Sequence, residues 1–106
     1  MFAPLLSSHC KDSAQRSHYC HGSQVAVVRH LRHRSTRRSV LVACTHISAN
    51  WKNPDTQLAQ VVVLTEKLRE QQHRIGAREK LLPSIVLCGD FNSKPDSGTY
   101  QFLSTG

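Results

Sequence analysis

Two short stretches carry the residue types from which a hydrolytic site can be built. The first is Cys44-Thr45-His46, where an imidazole follows an apolar run. A His at that point sits at the rim of a sheet, where ligands usually bind. It could donate to a phosphate oxygen or act in proton transfer, or be merely hydrogen-bonded at a strand end. The second stretch is Gly89-Asp90-Phe91-Asn92. Alternation along an extended segment points Asp90 and Asn92 the same way and turns Phe91 toward the core. A carboxylate there can orient or deprotonate a water, or approach a divalent cation. A neighbouring carboxamide can donate to a developing oxyanion without adding charge. Gly89 lets the backbone turn sharply or lets a ligand come close. The same four residues also suit an Asx-type turn, since Asp and Asn both favour turns.

These positions need elements to hold them. Residues 25–30 (VAVVRH) and 40–44 (VLVAC) read as two strands. The polar, basic stretch 31–39 between them reads as a hairpin loop, so the pair is antiparallel. Asn53-Pro54-Asp55 reads as a helix start, with Asn as N-cap, Pro at the first position and an acid in the first turn. Leu58, Val61, Val62, Thr65, Leu68 and Ile75 follow at helical spacing and define a buried face. Glu70 and Arg74 are spaced for an i,i+4 pair, and Gly76 suits a C-cap. Residues 85–88 (IVLC) read as a central strand buried on both faces. Residues 93–97 (SKPDS) are turn chemistry, and 98–103 start another helical or irregular segment. The order β-β-α-β predicts an α/β fold, a mixed sheet with helices packed on it.

The chain has 106 residues, room for one small domain, and is 39% hydrophobic, too apolar for plain disorder. It holds no apolar run long enough to span a membrane, and residues 1–6 are too short for a signal peptide. An intracellular protein is expected, cytoplasmic rather than nuclear. The net charge of +7 is uneven: residues 1–38 hold seven Lys/Arg against one acid, and residues 39–106 seven against six. Arg32, Arg34, Arg37 and Arg38 form a basic hairpin that can attract phosphate backbones, or is simply a solvated loop. Cys44 and Cys88 sit in apolar runs and are expected to behave as small buried hydrophobes. His9, Cys10, His18, Cys20 and His21 are zinc-type ligands, but their spacing matches no familiar pattern.

The combination of T-H after one strand, a helix opened by N-P-D, and an apolar strand running into GDFNSKPDSG resembles the endonuclease/exonuclease/phosphatase superfamily. THISANWKNPDTQLAQVVVL is similar to the T-H, N/D-P, L-x-Q segment of its deadenylase branch, the nocturnin, Angel and carbon catabolite repression enzymes. GDFNSKPDSGTYQFL is similar to that branch's G-D-F-N-S-x-P-D-S-G-x-Y-x-x-L segment. The resemblance covers residues 23–106. It implies a portion of a four-layer αββα sandwich and Mg²⁺-dependent hydrolysis of RNA, most closely 3′–5′ trimming of poly(A) in mRNA decay.

By the same resemblance His46 contacts the scissile phosphate, Asp90 orients or deprotonates the attacking water, and Asn92 stabilises the transition state. A superfamily phosphatase, or a non-catalytic remnant binding RNA or protein through the basic hairpin, are the competing functions. The family's metal-binding Glu and closing Asp-His pair have no match in this sequence. Residues 1–22 show no periodicity and are rich in Ser, His and Lys/Arg, so they are expected to be a disordered, basic, His-rich leader. Residues 23–106 are expected to be the central part of the domain, truncated at both ends and inactive by itself.

Overall fold

The computed structural model describes residues 2–6, 26–49 and 52–105. The apolar and β-branched runs form one four-stranded sheet: β1 (Phe2–Leu6), β2 (Ala26–His33), β3 (Ser39–His46) and β4 (Ser84–Asp90). Their spatial order is β1-β2-β3-β4. β1–β2 and β2–β3 are antiparallel, and β3–β4 is parallel. The parallel pair is joined by a long helix, α1 (Pro54–Glu79), as a parallel connection requires. A short helix, α2 (Gly98–Thr105), packs against α1.

The mixed α/β architecture agrees with the expectation from sequence; several element limits do not. Phe2–Leu6 pairs with β2, where the sequence reading has only a leader. β2 runs on to His33, so the loop shrinks to residues 34–38. Arg32 and His33 stay extended because Arg32 pairs with Ser39 across the ladder and the His33 N–H donates to Arg38 O at 2.7 Å. β3 likewise runs through Thr45 and His46, because both pair with β4. The zinc-type cluster in residues 9–21 lies outside the described residues.

α1 begins as its Pro and acid suggest, but Asn53 makes no side-chain capping bond. The helix passes through Gly76 and ends at Lys80, whose φ is 61°. Gly76 serves packing instead: a Cβ there would lie 2.5 Å from Leu82 Cδ2. Glu70 pairs with Lys67, at 3.0 Å, rather than with Arg74. The buried stripe is Gln57, Val61, Leu64, Leu68 and Ile75. Leu64, Leu68 and Ile75 form one cluster with Leu41 and Ala43 of β3, flanked by Ala26, Val28, Ile85 and Leu87. Truncating a core leucine of this kind costs about 2–5 kcal/mol.

That cluster fills one face of the sheet. On the other, Val27 is 54% exposed and Val86 47%, and Cys44 and Cys88 are also exposed. β4 is therefore not buried on both faces, and the two cysteines are not core residues. The physical reason is position: β4 is an edge strand, and α1 covers only one face of it. The described residues make two layers, a sheet and its helices.

Candidate active site

Parallel pairing of β3 with β4 places His46 directly opposite Asp90, as the last register pair of the ladder. Gly89 makes this approach possible. Its φ is 135°, and a Cβ would fall 1.8 Å from Thr45 O. The glycine thus admits the neighbouring strand's backbone, not a ligand. The pairing continues one step further, as the Ile47 N–H donates to Asp90 O at 2.8 Å.

After Asp90 the chain folds back. Asn92 has φ 45°, a conformation Asn tolerates, and its N–H donates to Asp90 Oδ1 at 2.9 Å. GDFN is therefore an Asx-type turn and a cluster of polar groups at once. The Asn92 side-chain amide donates to Ile47 O at 2.7 Å and lies 3.1 Å from His46 Nε2. His46 Nε2 and Asp90 Oδ2 are 3.8 Å apart, too far for a direct hydrogen bond. A water or a substrate oxygen between them could bond to both. Both side chains are about two-thirds exposed, at 68% and 67%. The structure thus brings His46, Asp90 and Asn92 together on the rim of the sheet.

Asn92 differs from its expected part in one respect. One amide hydrogen is given to Ile47 O, and the other faces His46 Nε2, which accepts it only when that nitrogen carries no proton. In this arrangement the carboxamide orients the imidazole.

Gln57 is the residue the sequence reading missed. It is 3% exposed, and its side-chain amide donates to Ser48 O at 2.7 Å and Asn92 O at 3.1 Å. Gln60, one turn on, accepts the Ser48 N–H at 3.1 Å. Two glutamines of α1 thereby tie the segment after β3 and the turn after β4 to the same helix. A signal was present: Gln57 falls on the buried stripe with Val61, Leu64 and Leu68, and a polar residue there must find buried partners.

The basic residues are elsewhere. Arg34, Arg37 and Arg38 are exposed on the β2–β3 hairpin, and Arg32 is bonded to Glu79 at the end of α1. They lie at the opposite end of β3 from His46, roughly 23 Å along an eight-residue strand.

No family model matches the sequence. The Candida albicans CCR4-Not complex 3′-5′-exoribonuclease subunit Ccr4 is 34% identical over 86 residues, 77% of this chain and 11% of that protein. The Arabidopsis thaliana carbon catabolite repressor protein 4 homolog 3 is 37% identical over 83 residues, 78% of this chain and 17% of the relative. Mouse protein angel homolog 2 is 34% identical over 73 residues, 69% of this chain and 13% of its own length. The human nocturnin catalytic domain with bound sulfate superposes with a TM-score of 0.62 at 27% identity, over 79% of this chain and 29% of that domain. Over these stretches the chain is homologous to endonuclease/exonuclease/phosphatase-superfamily deadenylases. It spans only 11 to 17% of the curated relatives named here.

Homology to the superfamily carries an association with Mg²⁺-dependent nucleases. The described residues do not themselves make such a site: no three His, Cys, Asp or Glu side chains among them gather to hold a metal ion. Asp90 offers one carboxylate, with Oδ1 already accepting the Asn92 N–H. Mg²⁺ is commonly bound through one or two carboxylates with several waters, so Asp90 alone is an incomplete donor set. Among the described residues, no helix is long and apolar enough to cross a membrane.

Proposed function

We propose that this chain is a segment of a Mg²⁺-dependent phosphodiesterase, a 3′–5′ exoribonuclease of poly(A)-deadenylase type acting on RNA in the cytoplasm. The observation that carries the reading is the meeting of an imidazole, a carboxylate and a carboxamide at the ends of two adjacent parallel strands, His46 facing Asp90. Three groups with this exposure suit a phosphate better than a structural role, because a structural His–Asp pair would close to hydrogen-bond distance.

The chemistry follows from the geometry. Asp90 Oδ2 accepts a proton from the attacking water and orients it. His46 Nε2 lies on the far side of the 3.8 Å gap, where in its protonated form it donates to a non-bridging phosphate oxygen, and the Asn92 amide hydrogen that faced it turns to the same phosphate. A P–O bond to water forms as the P–O3′ bond breaks, in line. The proton for the departing 3′ oxygen must come from outside these three residues. The open apolar face around Val27 and Val86 suits the second sheet of an αββα sandwich. We place residues 23–106 in the centre of such a domain, with Phe2–Leu6 adding a strand to its sheet.

A catalytic domain carrying this stretch will shorten 3′ poly(A) in Mg²⁺, and Asp90→Ala will lower the rate by at least about 100-fold. The 106-residue chain alone will show no EDTA-sensitive cleavage. Unchanged activity in the variant would overturn the role given to Asp90.

A further inference from the structure

At the far end of the sheet, the β2–β3 hairpin and the last turn of α1 flank a solvent-open cavity of about 540 Å³. Four guanidinium groups line it: Arg32, Arg37 and Arg38 from the hairpin region and Arg78 from the helix. Glu79 is the one acid in the lining, leaving three net positive charges. That carboxylate is fully engaged, with Oε1 bonded to Arg32 and Oε2 accepting from the Ser39 hydroxyl at 3.1 Å. Arg37, Arg38 and Arg78 make no ion pair among the described residues. Arg32 Nε is buried with no hydrogen-bond partner there, although Glu79 holds the other end of the guanidinium. That nitrogen is shielded from the cavity, so the donors Arg32 can offer there are those at its outer end.

The hairpin is fixed before any ligand arrives. His33 Nδ1 accepts the Thr36 N–H at 3.2 Å and lies 3.0 Å from the Thr36 hydroxyl. The Arg37 N–H donates to His33 O at 3.0 Å, and Arg37 itself has φ 62°. The Ser39 hydroxyl spends its proton on Glu79, so the donors left open to the cavity are guanidinium N–H groups. No aromatic side chain lines it, so there is no platform on which a base could stack. What such a lining recognises is charge and the fork geometry of a phosphate. The space exceeds what one phosphate fills.

We propose that this cavity is a binding site for linked phosphate groups, distinct from the His46–Asp90–Asn92 cluster. It stands on its own observations and does not depend on the catalytic reading. Arg34, which the sequence grouped with the others, is not part of the lining, and Arg78, which the sequence did not single out, is.

The test is an NMR titration of the 106-residue chain with tripolyphosphate and, separately, with a short oligo(A). The expected result is saturable perturbation of the Arg32 side-chain N–H and of the amides of residues 36–39, with tripolyphosphate leaving the His46 ring unmoved. Arg37, Arg38 and Arg78 are exposed, so replacing them should spare the fold. Together, Arg37→Gln, Arg38→Gln and Arg78→Gln should weaken binding at least about tenfold. The same three changed to Lys should weaken it too, because the charge remains while the fork is lost. Perturbation by tripolyphosphate alone would assign the site to free oligophosphates. Perturbation by oligo(A) would assign it to an RNA backbone. Unweakened binding by either triple variant, equal binding of poly-glutamate, or no saturable response at residues 36–39 would overturn the proposal.

Discussion

At its C-terminal end β3 is held by neutral groups. Carboxamides of Gln57, Gln60 and Asn92 bind backbone atoms of residues 47, 48 and 92, and the reactive side chains stay exposed. At its N-terminal end the same strand is held by charge. Ser39 and Arg32 both bind Glu79, with His30 close by at 3.7 Å. The contrast has a physical use. A scaffold of amides carries no charge for pH to remove. A charged scaffold depends on pH. Burial lowers the His30 pKa from its ordinary 6.5; neighbouring Glu79 raises it, and Arg78 and Arg32 lower it further. Burial alone would push Glu79 up, but hydrogen bonds from Arg32 and Ser39, with the charges of His30 and Arg32, hold it below its ordinary 4.5.

The largest expected effect breaks the first end outright. Gly89→Ala places a methyl group on Thr45 O and strains a positive φ, so it should destabilise the chain by about 3 kcal/mol or more in urea unfolding. A loss below about 1 kcal/mol would mean the strands do not approach as described. Gln57→Leu should cost about 2–3 kcal/mol, because the Ser48 and Asn92 carbonyls lose their partner. It should also shift the Asn92 and His46 side-chain resonances, and that cost should be the same at pH 5 and pH 8.

Glu79→Gln sharpens the other half of the contrast. At neutral pH it should cost about 1–2 kcal/mol, for a charge-assisted hydrogen bond to Arg32. Both perturbed groups have folded pKa values below their unfolded ones. The stability they supply is therefore present above the unfolded values and lost as pH falls through the folded ones. The native chain should weaken first as pH drops below about 6.5, from His30, and again below about 4.5, from Glu79. The Gln variant should lose the second step, as followed by thermal unfolding across that range. The smallest effect is Lys67→Ala, which removes an exposed i,i+3 pair and should change stability by less than about 0.5 kcal/mol.

What was legible in the sequence follows the strength of local signals. The β-branched runs and the Asn-Pro-Asp start located the two inner strands and α1, because periodicity and a fixed proline φ act locally. His46, Asp90 and Asn92 were legible because strand ends and turn residues announce themselves. The mutual distances were not, since they depend on which strands pair and in what register. The polar extension of β2 through His33 was hidden, because ladder bonds to Ser39 and Arg38 override the propensity of Arg and His. The exposure of Cys44 and Cys88 was hidden too, since an apolar run does not say how many layers cover it. Arg78 entered the basic cavity only through the placement of the helix end.

The central claim is that His46, Asp90 and Asn92 act on one phosphate. It is tested most directly by side-chain NMR of the His46 ring and Asn92 amide during titration with 5′-AMP, repeated in Asp90→Asn. The account predicts that both groups respond with a single shared affinity, and that removing the Asp90 charge changes that affinity. Separate affinities for the two groups, or a response confined to the Arg37–Arg38 end of the sheet, would contradict it.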